Sequence, residues 1–173
     1  MQTIIQKPLG FYKEHPNVRD PHIGSEGAAC FDLHAYFRKE KPVVVYTSMN
    51  NKLEQKVKSD FSLDVQPGWR CLIPTGLVFD IPVNTSIRLH ARSGLSLKQG
   101  LVLANAEGVI DCDYVEPVFA MITNISEKTV TINNMDRICQ AELVVQPTFA
   151  LMPIQNKPEQ KTDRDGGFGS TGV

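Results

Sequence analysis

The chain has 173 residues, enough for one domain with a substantial core and too few for two comfortable ones. Its formal net charge of −1 creates no global field that would recruit nucleic acid or an anionic membrane, so an anion site would have to be local. The opening stretch MQTIIQKPLGFYKEHP carries no signal-type apolar core and no apolar run is long enough to span a bilayer, so a soluble cytoplasmic protein without stable nucleic-acid or membrane binding is expected.

Short β-rich runs recur between turn signals along the whole chain. In order they are TIIQ, VVVYT, FSLDV, RCLIPTGLVFDI, TSIRLHA, LVLAN, PVFAMITN, TVTIN and RICQAELVVQPTFAL. The Pro and Gly residues scattered between them argue an antiparallel all-β barrel or jelly roll rather than alternating βα units. Only RSGLSLKQG reads as helix, with Ser93 as N-cap and Gly100 as stop. Residues 38–60 break the rhythm with six basic and three acidic side chains, and are expected as a surface hairpin or loop excursion. From about Glu159 apolar periodicity ends, giving a β domain over 1–158 and a flexible tail over 159–173. The tail closes on RDGGFGSTGV, four glycines and one phenylalanine, where a phosphate-loop pattern would need a following Lys and helix. The four cysteines have no CxxC pair and the four histidines no ligand spacing, so reduced thiols are expected rather than disulfides or zinc.

Five stretches carry residues suited to chemistry. In GAACFDLHA, Asp32 points opposite to Phe31 and Leu33 if the segment is extended; it is either a plain strand carboxylate or a holder of hydrated Mg²⁺. In ARSGLSLKQG, Arg92 with the backbone N–H groups of a helix start can cradle an anion, or merely cap and solvate. In NAEGVIDCDY, Asp111 emerges where an apolar strand ends, as a general base or an Asx turn. Tyr114 beside it offers a flat face for a sugar, or packs a barrel rim. MDRICQAEL adds Asp136, Arg137 and Gln140, with Asp136 and Arg137 read as a structural pair. The glycine-rich ending is the fifth stretch.

Taken in order, these five stretches resemble the five motifs of the trimeric dUTPases, a match that spans nearly the whole chain outside 38–60. The resemblance implies a jelly-roll-like subunit in a homotrimer, three active sites at subunit interfaces, and a tail completing each. It also implies hydrolysis of dUTP to dUMP and pyrophosphate with Mg²⁺. Asp111 would then activate the attacking water, and Asp32 would hold the metal through its water shell. Arg92, Ser93 and Gly94 would cradle phosphates, with Gln140 adding a contact and Arg137 among the substrate-binding residues. Asn105, with the nearby backbone of Gly108 and Ile110, would read uracil, and Tyr114 would exclude a 2′-hydroxyl. In the tail, Phe168 would stack on uracil, Ser170 and Thr171 would bind phosphate oxygens, Gly169 would allow close backbone approach, and Arg164 would reach the γ-phosphate. Phosphoryl transfer needs positioning and charge neutralisation above all, which agrees with this set.

The sequence also departs from the family pattern. Cys30 and Met135 stand where glycines are usual, DYVEPV replaces DYRGxV, and Arg164 lies four residues before Phe168 where five is usual. The related dCTP deaminases place a catalytic Glu where this chain has Met121, which leaves that chemistry without a base. A regulatory protein on the same scaffold, with a partner at 38–60, is the alternative of a different class.

Overall fold

The computed structural model describes residues 8–163, and Arg164, Phe168, Gly169, Ser170 and Thr171 lie outside them, as does the expected TIIQ strand. In chain order the described strands are β1 (Gly10–Lys13), β2 (His22–Ile23), β3 (Phe31–His34), β4 (Val43–Tyr46), β5 (Lys52–Gln55), β6 (Ser62–Val65), β7 (Arg70–Pro74), β8 (Leu77–Asp80) and β9 (Thr85–Ala91). After the helix α1 (Ser93–Gln99) come β10 (Leu101–Leu103), β11 (Gly108–Asp111), β12 (Phe119–Asn124), β13 (Val130–Asn133) and β14 (Arg137–Val145). Two five-stranded antiparallel sheets dominate, ordered β10-β12-β7-β4-β5 and β11-β9-β14-β3-β2, with the pairs β1-β8 and β13-β6 beside them. This is the all-β, jelly-roll-like architecture that the strand runs imply.

Period-two alternation builds the core. Along β9, Ile87 and Leu89 point inward while Arg88 and His90 point out; β7 buries Cys71 and Ile73, and β12 buries Ala120 and Ile122. The run RCLIPTGLVFDI is two strands, because Gly76 turns the chain at φ +69°, and a Cβ there would meet Val18 Cγ2 at 2.6 Å. Residues 38–60 form the β4–β5 hairpin, with β4 paired to β7. Only part of it is the expected surface excursion, since Val43, Val45 and Val57 are buried in the core.

Three local features bear on the site. Gly100 ends α1 in the left-handed conformation, as expected, but Arg92 is the N-cap, and no side chain caps the helix. Ser93 is instead the first helical residue. Met135, in place of the usual glycine, adopts φ +68° and its N–H donates to the Ala35 carbonyl at 2.8 Å, so the turn before β14 is kept. Pro117 precedes β12 and costs it no ladder bond.

Candidate active site

One group of candidates converges on a cavity of about 520 Å³ whose lining includes Asn105, Gly108, Ile110, Asp111 and Tyr114. The crossing from β10 in one sheet to β11 in the other, β11 itself and the turn after it present them. The crossing puts Ala106 in the left-handed region at φ +61°, a strained choice for a residue with a Cβ, and the Ala104 N–H anchors it to the Met121 carbonyl at 2.8 Å. Along β11, Gly108 and Ile110 face inward and Val109 and Asp111 outward. Gly108 lets β11 lie close to β9, since a Cβ there would sit 3.0 Å from Leu89 Cβ and would need Leu89 to give way. Tyr114 follows in a tight turn, its N–H donating to the Asp111 carbonyl and its hydroxyl to the Pro117 carbonyl, each at 3.1 Å. The ring is thereby fixed to the wall. Leu72, Phe119 and Met121 complete that wall; they come from β7 and β12, and no motif spacing signals them.

A second group centres on Asp32. Its side chain is 7% exposed and lies between two guanidiniums: Arg92 Nε donates to Oδ1 and Arg137 Nη1 to Oδ2, both at 3.1 Å. Asp136, expected to pair with Arg137, instead accepts the Asn133 backbone N–H at 2.8 Å and its Nδ2 at 3.1 Å. A β-bulge makes the cluster possible. Arg137 is opposite His34 and Cys139 is opposite Leu33, so Ile138 is the inserted residue. In a regular strand Arg137 and Gln140 would point to opposite faces; the bulge puts both on the Asp32 face, with Gln140 in register with Asp32 on one side and His90 on the other. Ser93 and Gly94 open α1 next to Arg92, exposed, with first-turn N–H groups that have no partner within the helix.

The two groups are far apart on one chain. Asp111 is in register with Ser86 on β9, and Arg92 lies six residues further along. At about 3.3 Å per residue that is roughly 20 Å. The cavity holding Asp111 and the recess holding Arg92 and Arg137 share no lining residue.

Among the described residues no three His, Cys, Asp or Glu side chains gather as a cage. Each Asp32 oxygen receives one guanidinium N–H and keeps a lone pair able to accept from a metal-bound water. That set fits a hydrated Mg²⁺ carried in on phosphates and does not fit a protein-caged ion.

The family model described as dUTPase matches residues 55–172. A deoxyuridine 5′-triphosphate nucleotidohydrolase of Bdellovibrio bacteriovorus is 41% identical over 174 aligned positions, covering 99% of each chain. One of Caulobacter vibrioides is 34% identical over 154, covering 88% of this chain and 85% of its own. Among solved structures, a Staphylococcus bacteriophage 80alpha dUTPase variant with dUpNHpp superposes at a TM-score of 0.74 with 19% identity, covering 97% of this chain and 100% of that one. The dUTPase of phage phi11 of S. aureus, a structure that details coordination of a structural Mg(II) ion, superposes at 0.67 with 19% identity, covering 87% and 98%.

Proposed function

The chain belongs to the dUTPase family, and on that premise we propose that it hydrolyses dUTP to dUMP and pyrophosphate at sites formed between copies of the chain. The observation that carries the shared site is the separation of Asp111 from Arg92. A base and a phosphate clamp about 20 Å apart on one chain cannot address adjacent atoms of one triphosphate. Two copies arranged head to tail can bring one chain's Asp111 cavity to the other's Arg92 cluster, and closure of that arrangement as a ring of three gives three sites. The stretch after β14 supports association. It carries Phe149, Leu151, Met152 and Ile154, each at least 66% exposed, as apolar surface that a neighbouring copy would cover.

In this reading Asp111 takes a proton from the water attacking the α-phosphorus. Asn105 and the backbone of Gly108 and Ile110 read the uracil edge, and the fixed Tyr114 ring leaves no room for a 2′-hydroxyl. Arg92 and the N–H groups of Ser93 and Gly94 take phosphate oxygens, with Arg137 and Gln140 beside them. Asp32 holds both guanidiniums in position before substrate arrives, and its free lone pairs would accept hydrogen bonds from the waters of Mg²⁺. Mg²⁺, when bound, supplies charge neutralisation on the phosphates. The tail residues Arg164, Phe168, Gly169, Ser170 and Thr171 would close over the nucleotide. Deamination finds no support in the cavity, where Met121 offers a thioether and no acid or base.

The test is incubation with dUTP, dCTP, dTTP and UTP and resolution of both products. The reading expects dUMP and pyrophosphate from dUTP in large preference. Orthophosphate release, or loss of ammonia from dCTP, would overturn it.

A further inference from the structure

Glu107 lies between Asn105 and Gly108, and the motif resemblance gives it no role. Its backbone belongs to the tight crossing from β10 to β11. The Ala106 N–H donates to the Leu103 carbonyl at 3.1 Å, the Glu107 N–H donates to the Asn105 carbonyl at 2.7 Å, and Ala106 holds φ at +61°. A residue with a Cβ keeps that conformation only where its surroundings over-determine it. On the entry side the Ala104 N–H bond to the Met121 carbonyl contributes. The exit needs a fastening of its own.

The sheet register supplies one. By strand alternation Glu107 faces outward with Val109, which is opposite Arg88 on β9. Arg88 Nη1 donates to Glu107 Oε2 at 3.4 Å, and His90, two residues further along the same face, places Nδ1 3.9 Å from Glu107 Oε1. The other ring nitrogen, Nε2, is 3.3 Å from Oε2 of Glu142 on β14. His90 thus sits between two carboxylates, and in its protonated form donates toward both. The side chain that follows the strained Ala106 is thereby tied to β9 and, through His90, to β14. Arg88 and Glu107 are 26% and 47% exposed, so their pairing adds little to global stability. Its leverage is on the crossing alone.

We propose that Glu107 is a positioning residue for base recognition: held by Arg88 and His90, it keeps the crossing in the conformation that aims Asn105 and the Gly108 backbone at uracil. It acts through those two residues and not on the substrate. A loosened crossing samples conformations that cannot pair with the base, and the competent fraction enters the apparent affinity directly. The phosphate clamp at Arg92 is separate, so the effect falls on nucleoside binding and spares the chemical step. The inference rests on the nucleotide-site reading above, and its test separates the two.

Full-length Glu107→Ala and Glu107→Gln, each alone and combined with Arg88→Gln, provide that test against the parent, by steady-state kinetics and by calorimetric titration with dUMP and pyrophosphate. Glu107→Ala should raise KM for dUTP and Kd for dUMP by about fivefold, the upper range for a partly exposed ion pair, with kcat within about twofold. Pyrophosphate affinity and melting temperature should not change. Glu107→Gln keeps an acceptor for Arg88 and should recover part of the loss. In the Arg88→Gln background Glu107→Ala should cost only about twofold, because its main contact is already gone. In the free protein the Asn105 side-chain amide resonances should move in Glu107→Ala, a readout that needs no substrate. KM and dUMP affinity within about 1.5-fold of the parent, the full cost retained without Arg88, or an equal loss for pyrophosphate would overturn the positioning role and leave dUTP hydrolysis standing. A parent that neither hydrolyses dUTP nor binds dUMP would instead strike the nucleotide reading, and this role with it.

Discussion

Asp32→Asn keeps the shape of the side chain and removes the charge on which two guanidiniums rely. One amide oxygen can still accept from one arginine, but the amide nitrogen turns a donor toward the other. Breaking a buried ion pair by removing one partner costs about 3–5 kcal/mol. Here the arginines are unequally exposed: 22% for Arg92 and 52% for Arg137, against 7% for Asp32. The Arg137 contact therefore falls toward the surface range of under about 1 kcal/mol. The Arg92 contact keeps more, and a net loss of about 2 kcal/mol follows. For a chain of this size that lowers the melting temperature by roughly 4–8 °C. Thermal unfolding at fixed protomer concentration measures it, and a double-mutant cycle with Arg92→Gln should return a coupling of about 1 kcal/mol or more. Turnover should fall as well, because both arginines lose their set positions. A melting temperature within about 1 °C of the parent, with no coupling, would refute the claim that Asp32 organises the cluster.

Three further outcomes follow from the geometry. Asp111 is exposed, so Asp111→Asn should change stability by no more than about 0.5 kcal/mol yet lower kcat by about 10²- to 10⁴-fold, checked by unfolding and steady-state kinetics. Gly108→Ala pushes a methyl against Leu89 and should cost about 1–3 kcal/mol while raising KM, readable from the same two assays. Burial pushes the Cys71 and Cys139 thiols up to about 12, and raises Cys30 as well, whereas Cys112 is exposed. A thiol reagent near pH 8 should therefore label Cys112 first in the native protein, and Cys71 and Cys139 only after denaturation.

The strands were legible where alternation was regular: TSIRLHA is β9 to the residue. Alternation does not reveal where a strand turns back, which is how Gly76 came to split one apparent run into β7 and β8. In 38–60 the density of charge masks the core role of Val43 and Val45, since a hairpin with charged flanks and tip can still bury one face. Asp111, Asn105 and Tyr114 lie close in sequence and share one cavity, so local spacing sufficed for them. The surroundings of Asp32 did not follow from local spacing. Its partners are 60 and 105 residues away, and a bulge at Ile138, invisible to period-two reasoning, aims one of them.

The central claim is that one chain holds two halves of different sites, and mixing inactive chains tests it most directly. Asp111→Asn chains lack the base and Arg92→Gln chains lack the clamp, so each homogeneous protein should be nearly inactive. If subunits exchange at random in equal amounts, a site drawing Asp111 from one chain and Arg92 from the next is intact in about one case in four. Co-refolding the two should therefore restore about a quarter of the parent dUTP hydrolysis. Mixed assemblies, verified by differently tagged chains, that remain as inactive as either parent variant would contradict a site shared between copies.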